Sequence, residues 1–117
     1  MVTMENKVSI WFGNFETEDK FFDFIKKDYD EDGNSIPSSF MRVFEIGFFD
    51  EDFQEAFYEN PMDESSFEDV SYYEMFSDKV KVDFSKYNCA ILLYKFNYTG
   101  LTKKANNMEF YSVLDYA

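Results

Sequence analysis

The stretch DYDEDG, residues 28–33, has the residue types and spacing of a calcium-binding loop. Asp28, Asp30 and Asp32 recur on alternate positions ahead of Gly33, as oxygen ligands do around the sharp glycine turn of an EF-hand. The pattern then fails. An EF-hand needs an apolar residue at its eighth position and a bidentate glutamate at its twelfth, where this chain has Ser35 and Ser39, with Pro37 between them. Without that carboxylate a calcium ion lacks two of its usual six to eight oxygens. The expectation is therefore no metal and no cofactor. Instead the three aspartates sit in a solvated turn closed by Asx-type hydrogen bonds, from which they can face a partner.

Little other chemistry is available. The chain has no histidine, which removes the commonest general base, the commonest zinc ligand and every Ser-His or Cys-His nucleophile. Its glycines, at 13, 33, 47 and 100, form no phosphate-cradling loop. Carboxylates alone remain, as in glycosidases and metal-dependent nucleases. With 24 Asp and Glu in 117 residues, however, some pair lies close by chance. No catalytic residue is assigned, and the reading is of a protein that is not an enzyme. Cys89, the one cysteine, lies in the apolar run CAILLY and reads as a buried, inert thiol.

The charge itself is the stronger signal. Between Val43 and Asp78 lie twelve acidic residues and no Lys or Arg, so nearly all of the net charge of −13 comes from that third of the chain. Such a run can simply be a solvated face that keeps an aromatic-rich chain soluble. It can also be a docking surface for a basic partner. The segment DEDFQEAFYE, residues 50–59, supports the second reading because aromatic side chains are interleaved with acids that can steer a partner. Asp50, Glu51, Asp52, Glu55, Tyr58 and Glu59 are candidate partner-binding residues, together with Asp28, Asp30 and Asp32. Phe53 and Phe57 read as core, and Tyr58, with its polar tip, as the better surface residue.

The elements that must position these side chains read as follows. Lys7 to Asn14 alternates as a strand, with Trp11 as a structural residue at its middle. Thr17 caps a helix with Phe21, Phe24 and Ile25 on one face. Pro37 suits the first turn of a second, short helix with Phe40, Val43 and Phe44 on one face, ended by Gly47. Residues 48–60 read as an extended segment or hairpin arm, and 60–64 as a loop. Ser65 and Glu68 form a capping-box pattern for a helix running to about Ser77. Residues 79–84 fit either a strand or a helix tail. Residues 89–98 suit a strand in the middle of a sheet covered on both faces. Residues 109–116 give a last strand with Phe110, Ser112, Leu114 and Tyr116 on one face. The sum is a single α+β domain over 1–117, a small sheet of about four strands with two or three helices packed on it.

At 14.0 kDa, 45% hydrophobic and 22% aromatic, the chain can bury a core despite its charge. It has no signal-peptide pattern and no apolar run long enough to span a membrane, which suggests a reduced, cytoplasmic setting. Four pieces in order, V8-S-I-W-F-G-N-F15, Y29-D-E-D-G-N-S-I-P-S-S-F40, F48-F-D-E-D-F-Q-E-A-F-Y58 and Y87-N-C-A-I-L-L-Y-K-F-N-Y98, resemble the immunity protein 22 family of bacterial polymorphic toxin systems. The resemblance spans nearly the whole chain. It implies a small α+β cytosolic protein that binds and neutralises a cognate toxin, expected to be a basic, nuclease-like protein, with no nucleic acid or membrane as partner. Val43 departs from the more acidic or polar residue expected there. A strongly acidic protein suits an electropositive nuclease cleft. The same charge suits an acidic nucleic-acid mimic, and the 28–33 loop leaves a calcium-responsive binding module as a further alternative.

Overall fold

The computed structural model describes residues 6–47, 49 and 51–116. Its elements follow in chain order as β1 (Lys7–Gly13), α1 (Glu18–Ile25), β2 (Asp28–Tyr29), β3 (Ser35–Ile36), α2 (Ser39–Val43), β4 (Gln54–Tyr58), α3 (Tyr73–Phe76), β5 (Cys89–Tyr94), β6 (Lys104–Ala105) and β7 (Met108–Asp115). Five of the strands form an antiparallel sheet in the order β4-β5-β1-β7-β6, and β2 pairs with β3 as a separate hairpin. The architecture is mixed α+β as expected, with one strand more than the sequence indicated. The added strand, β6, has only two residues, too short for any periodicity. It pairs back on β7 through a turn in which Asn106 takes a left-handed φ of 53°.

The sheet is covered on both faces. One core gathers Trp11, Ile91 and Leu93 with Phe21 and Phe24 from α1, Phe40 from α2 and Phe44 just after it. The other gathers Val8, Ile10, Phe12 and Leu92 with Met62, Phe67, Val70, Phe76 and Val80. Adjacent residues of β1 and β5 point to opposite faces, so both strands are buried along almost their whole length. Trp11 is fully buried, edge-on to the rings of Phe40, Phe44 and Tyr98. Burial without a charged neighbour pushes the Cys89 thiol up to about 12, which makes it inert as expected. Gly13 is required where β1 meets the β6–β7 turn, because a Cβ there would lie 2.6 Å from the Asn107 carbonyl oxygen.

Thr17 caps α1 as expected, its hydroxyl accepting from the amide of Lys20. The second helix is present, but its cap is Ser38, which accepts from Met41 N, so Pro37 precedes the helix. Glu45, at φ 57°, and not Gly47, takes the left-handed turn after it.

Three further expectations are corrected. The capping box lies at Asp63 and Ser66, not at Ser65 and Glu68, and opens a 3-10 turn over Glu64–Phe67. The helix expected to Ser77 is interrupted by Tyr72, whose φ of 61° is left-handed, and helix resumes only over the four residues of α3. Residues 79–84 form no strand: Lys79 ends a 3-10 turn over Ser77–Lys79, Phe84 opens another over Phe84–Lys86, and 80–83 between them are irregular. In β7 the pairing with β1 slips between Ile10 and Trp11, leaving Tyr111 as a bulge. Phe110 therefore joins the first core while Tyr111 and Leu114 join the second, which splits the face expected to hold Phe110, Ser112, Leu114 and Tyr116 together.

Candidate functional site

The acidic segment builds the edge of the sheet. Residues 51–53 make one 3-10 turn and residues 54–58 become β4, paired with β5 from Gln54↔Leu93 to Tyr58↔Cys89. Alternation then sorts the side chains. Phe53 and Phe57 pack on the second core, and Ala56 and Tyr58 on the first. Phe53 and Phe57 thus serve the core as the sequence indicated, and Lys95 Nζ lies 4.4 Å from the centre of the Phe53 ring. Tyr58 is more enclosed than its polar tip suggested. It is half-buried, and its hydroxyl donates to the Phe15 carbonyl at 3.3 Å.

The candidate acids fall into distinct environments. Glu51 is exposed but forms an ion pair with Lys27, Oε1 to Nζ 2.7 Å, so it is not a free steering charge. Asp52 and Glu59 are exposed. Glu55 is half-buried and accepts from the amide of Ser71 at 3.0 Å. The carbonyl of the same Ser71 accepts the Tyr94 hydroxyl at 2.5 Å, so one residue of the 60–88 cover is clamped to both β4 and β5. Burial, with the Glu55 carboxylate nearby, raises the pKa of that tyrosine, and it remains a neutral donor. Asp50 lies outside the described residues.

Grooves border β4. Along the strand runs one of about 460 Å³, lined by the six consecutive residues Gln54 to Glu59 and, on its other wall, by Ser66, Asp69 and Val70. Among the described residues it holds three acids and no lysine or arginine. The second groove, about 390 Å³, opens at the start of the strand, where Gln54, Glu51 and Phe49 face Ile25, Lys26, Lys27 and Tyr29. Gln54 belongs to both grooves, and its Oε1 is buried without a hydrogen-bond partner among the described residues. Sequence reasoning missed Ser66, Asp69 and Val70 because only the fold-back of residues 60–70 brings them to β4.

The structure separates Asp28, Asp30 and Asp32 from the strand site. They are exposed on the β2–β3 hairpin and line neither groove. The Asx turn is present, with Asp30 Oδ1 accepting from the amides of Asp32 and Asn34 at 2.9 Å each. The Asn34 bond leads in holding the Asp30 carboxyl below the usual range. Gly33 supplies the turn's positive φ of 84°. Among the described residues no group of three or more His, Cys, Asp or Glu side chains is placed to hold a metal ion, and no helix is long and apolar enough to cross a membrane.

Compared with known proteins, residues 8–117 match a family model described as Immunity protein 22. No curated protein and no solved structure matches the chain.

Proposed function

Because the chain belongs to the immunity protein 22 family, we propose that it neutralises a toxin by binding it through the acidic residues in and around β4. Family membership carries this reading. The distribution of charge supports the mode, since the third of the sequence that lacks any cation supplies both the edge strand and the far wall of its groove. The toxin is a basic protein, in keeping with a nuclease whose cleft must hold phosphates with Lys and Arg. The protein acts in the cytoplasm as a stoichiometric inhibitor and catalyses nothing.

Asp52, Glu55, Tyr58 and Glu59 form the centre of the proposed contact, with Glu51 beside them, and Asp50 is included from its sequence alone. Asp28, Asp30 and Asp32 belong to a separate, outlying contact. The test measures association and dissociation of the toxin domain encoded beside this chain at two salt concentrations. Removing exposed charge by Glu59→Gln with Asp69→Asn is expected to slow association about tenfold or more at low salt and to flatten its salt dependence. Equal rates for wild type and variant at both concentrations would leave these acids as a solvated face.

A further inference from the structure

We infer that the toxin docks by strand addition: an extended segment of it, bearing lysine or arginine, pairs with the open edge of β4 and becomes the sixth strand of the sheet. The inference rests on the proposed function and specifies how that contact is made. Among the described residues, strand β4 pairs with β5 alone and ends the sheet. The Glu59 amide donates to the Asn88 carbonyl at 2.9 Å. Alternation along an antiparallel ladder therefore turns the backbone groups of Glu55 and Phe57 towards β5 and those of Gln54, Ala56 and Tyr58 outward. Outward N–H and C=O groups at this spacing are the template that strand addition uses.

The two sides of the sheet differ in how they are guarded. The far side ends in the two-residue β6, which carries Lys104, and in the bulge at Tyr111. Short edge strands, lysines and bulges all discourage pairing with another chain. Strand β4 has none of them. It is five residues long, QEAFY, without lysine or proline, and a groove follows its length.

Charge identifies the occupant. Glu55, Glu59 and Asp69 line that groove without a cation, so side chains projecting from an added strand gain most if they are basic. The Oε1 of Gln54, buried and without a hydrogen-bond partner among the described residues, is an acceptor at the end of the groove for a donor on the added strand. A second copy of this chain fits worse, because edge-to-edge pairing brings the same three acids of both copies together at a net charge of −13 each.

Two measurements test the mode with the toxin domain encoded beside the chain. In wild type, hydrogen exchange at the Ala56 and Tyr58 amides is expected to slow strongly on adding the toxin, while the Glu55 and Phe57 amides, already bonded to β5, change less. Ala56→Pro removes an outward donor and leaves the β4–β5 ladder its bonds. It is expected to weaken binding on the order of a hundredfold. If the toxin binds wild type while the Ala56 and Tyr58 amides exchange as before, strand addition is overturned and the proposed function stands. Undiminished binding by folded Ala56→Pro has the same meaning. Should that variant not fold, the exchange measurement on wild type decides alone. A wild-type dimer in solution that Ala56→Pro dissociates would assign the edge to a second copy, and no binding of the toxin to wild type would remove both readings.

Discussion

The two faces of the sheet are covered in different ways. On one, α1 and α2 lie across Trp11, Ile91 and Leu93, each opened by a hydroxyl cap, Thr17 or Ser38. On the other, residues 62–80 supply a comparable set of buried side chains from a backbone with four residues of α-helix and several 3-10 turns. Two 3-10 turns on this side are capped by carboxylates, Asp63 within that stretch and Asp83 just beyond it. Burial of apolar surface does not require regular structure; it requires anchors at points where the chain can return to the sheet. Regular helices satisfy their own backbone groups, whereas the irregular cover uses side chains such as Glu55 and Tyr94, both bonded to Ser71.

If the two covers contribute equally, losing one anchor from either should cost the same. Phe40 and Phe67 are both fully buried, one in each core. Phe40→Ala and Phe67→Ala are each expected to lower unfolding free energy by about 3–5 kcal/mol, read from denaturant titration. Because the two side chains belong to separate clusters, the double variant should be nearly additive. A Phe67→Ala cost below about 1 kcal/mol would show the irregular cover to be an appendage on a sheet stabilised mainly from the other face.

Trp11 sharpens the comparison from within the helical face. Its ring meets four others, Phe40, Phe44, Tyr98 and Phe110, while its Nε1 has no partner among the described residues. Trp11→Phe gives up packing but also removes a buried, unpaired N–H, and these effects oppose each other. The expected net cost is about 1–3 kcal/mol, with toxin affinity nearly unchanged. The opposite ordering on a folded variant would make Trp11 a binding residue.

The same contrast decides what could be read from the sequence. Strand β1, the Thr17 cap and β5 were legible because alternation, capping and a continuous apolar run are local signals. Residues 62–80 were not, because Phe67, Val70, Phe76 and Val80 are spaced by the surface they must reach. The apparent helical period broke at Tyr72, a non-glycine residue held left-handed by its surroundings. The bulge at Tyr111 was equally hidden, since register is a property of two strands. For the candidate site, the sequence indicated the extended course that became β4 but not its place at the sheet edge, its groove or the Glu51–Lys27 pair, all of which depend on tertiary neighbours.

A smaller effect separates the hydroxyl-capped face further. Thr17→Ala should cost about 1 kcal/mol by leaving the Lys20 amide without its cap. The loss should be the same at neutral and acid pH, because a hydroxyl does not titrate there. A melting-temperature difference that changes with pH would show instead that the neighbouring Glu16–Lys20 pair governs the start of α1.

Acid should loosen the carboxylate-capped cover first. Asp63 accepts from the Ser65 hydroxyl and the Ser66 amide, and Asp83 from the hydroxyl and amide of Ser85. In both, the seryl hydroxyl leads in lowering the pKa from its ordinary 3.8, and at Asp83 the charge of Lys86 adds to the effect. A carboxyl whose folded pKa is depressed stabilises the fold above its unfolded value, and that contribution is lost as pH falls through the folded value. Both groups are fully exposed, so the effect on global stability is small and is best seen locally. As pH falls below 3.8, amide protection at Ser66 and Ser85 should fall, while that at Lys20 and Met41, capped by Thr17 and Ser38, should hold. Asp63→Asn keeps an acceptor oxygen without the titration, so its Ser66 amide should lose less protection over the same range. A parallel loss at all four amides would mean that acid acts through the protein's total charge, and the two faces would then differ in construction but not in their response to pH.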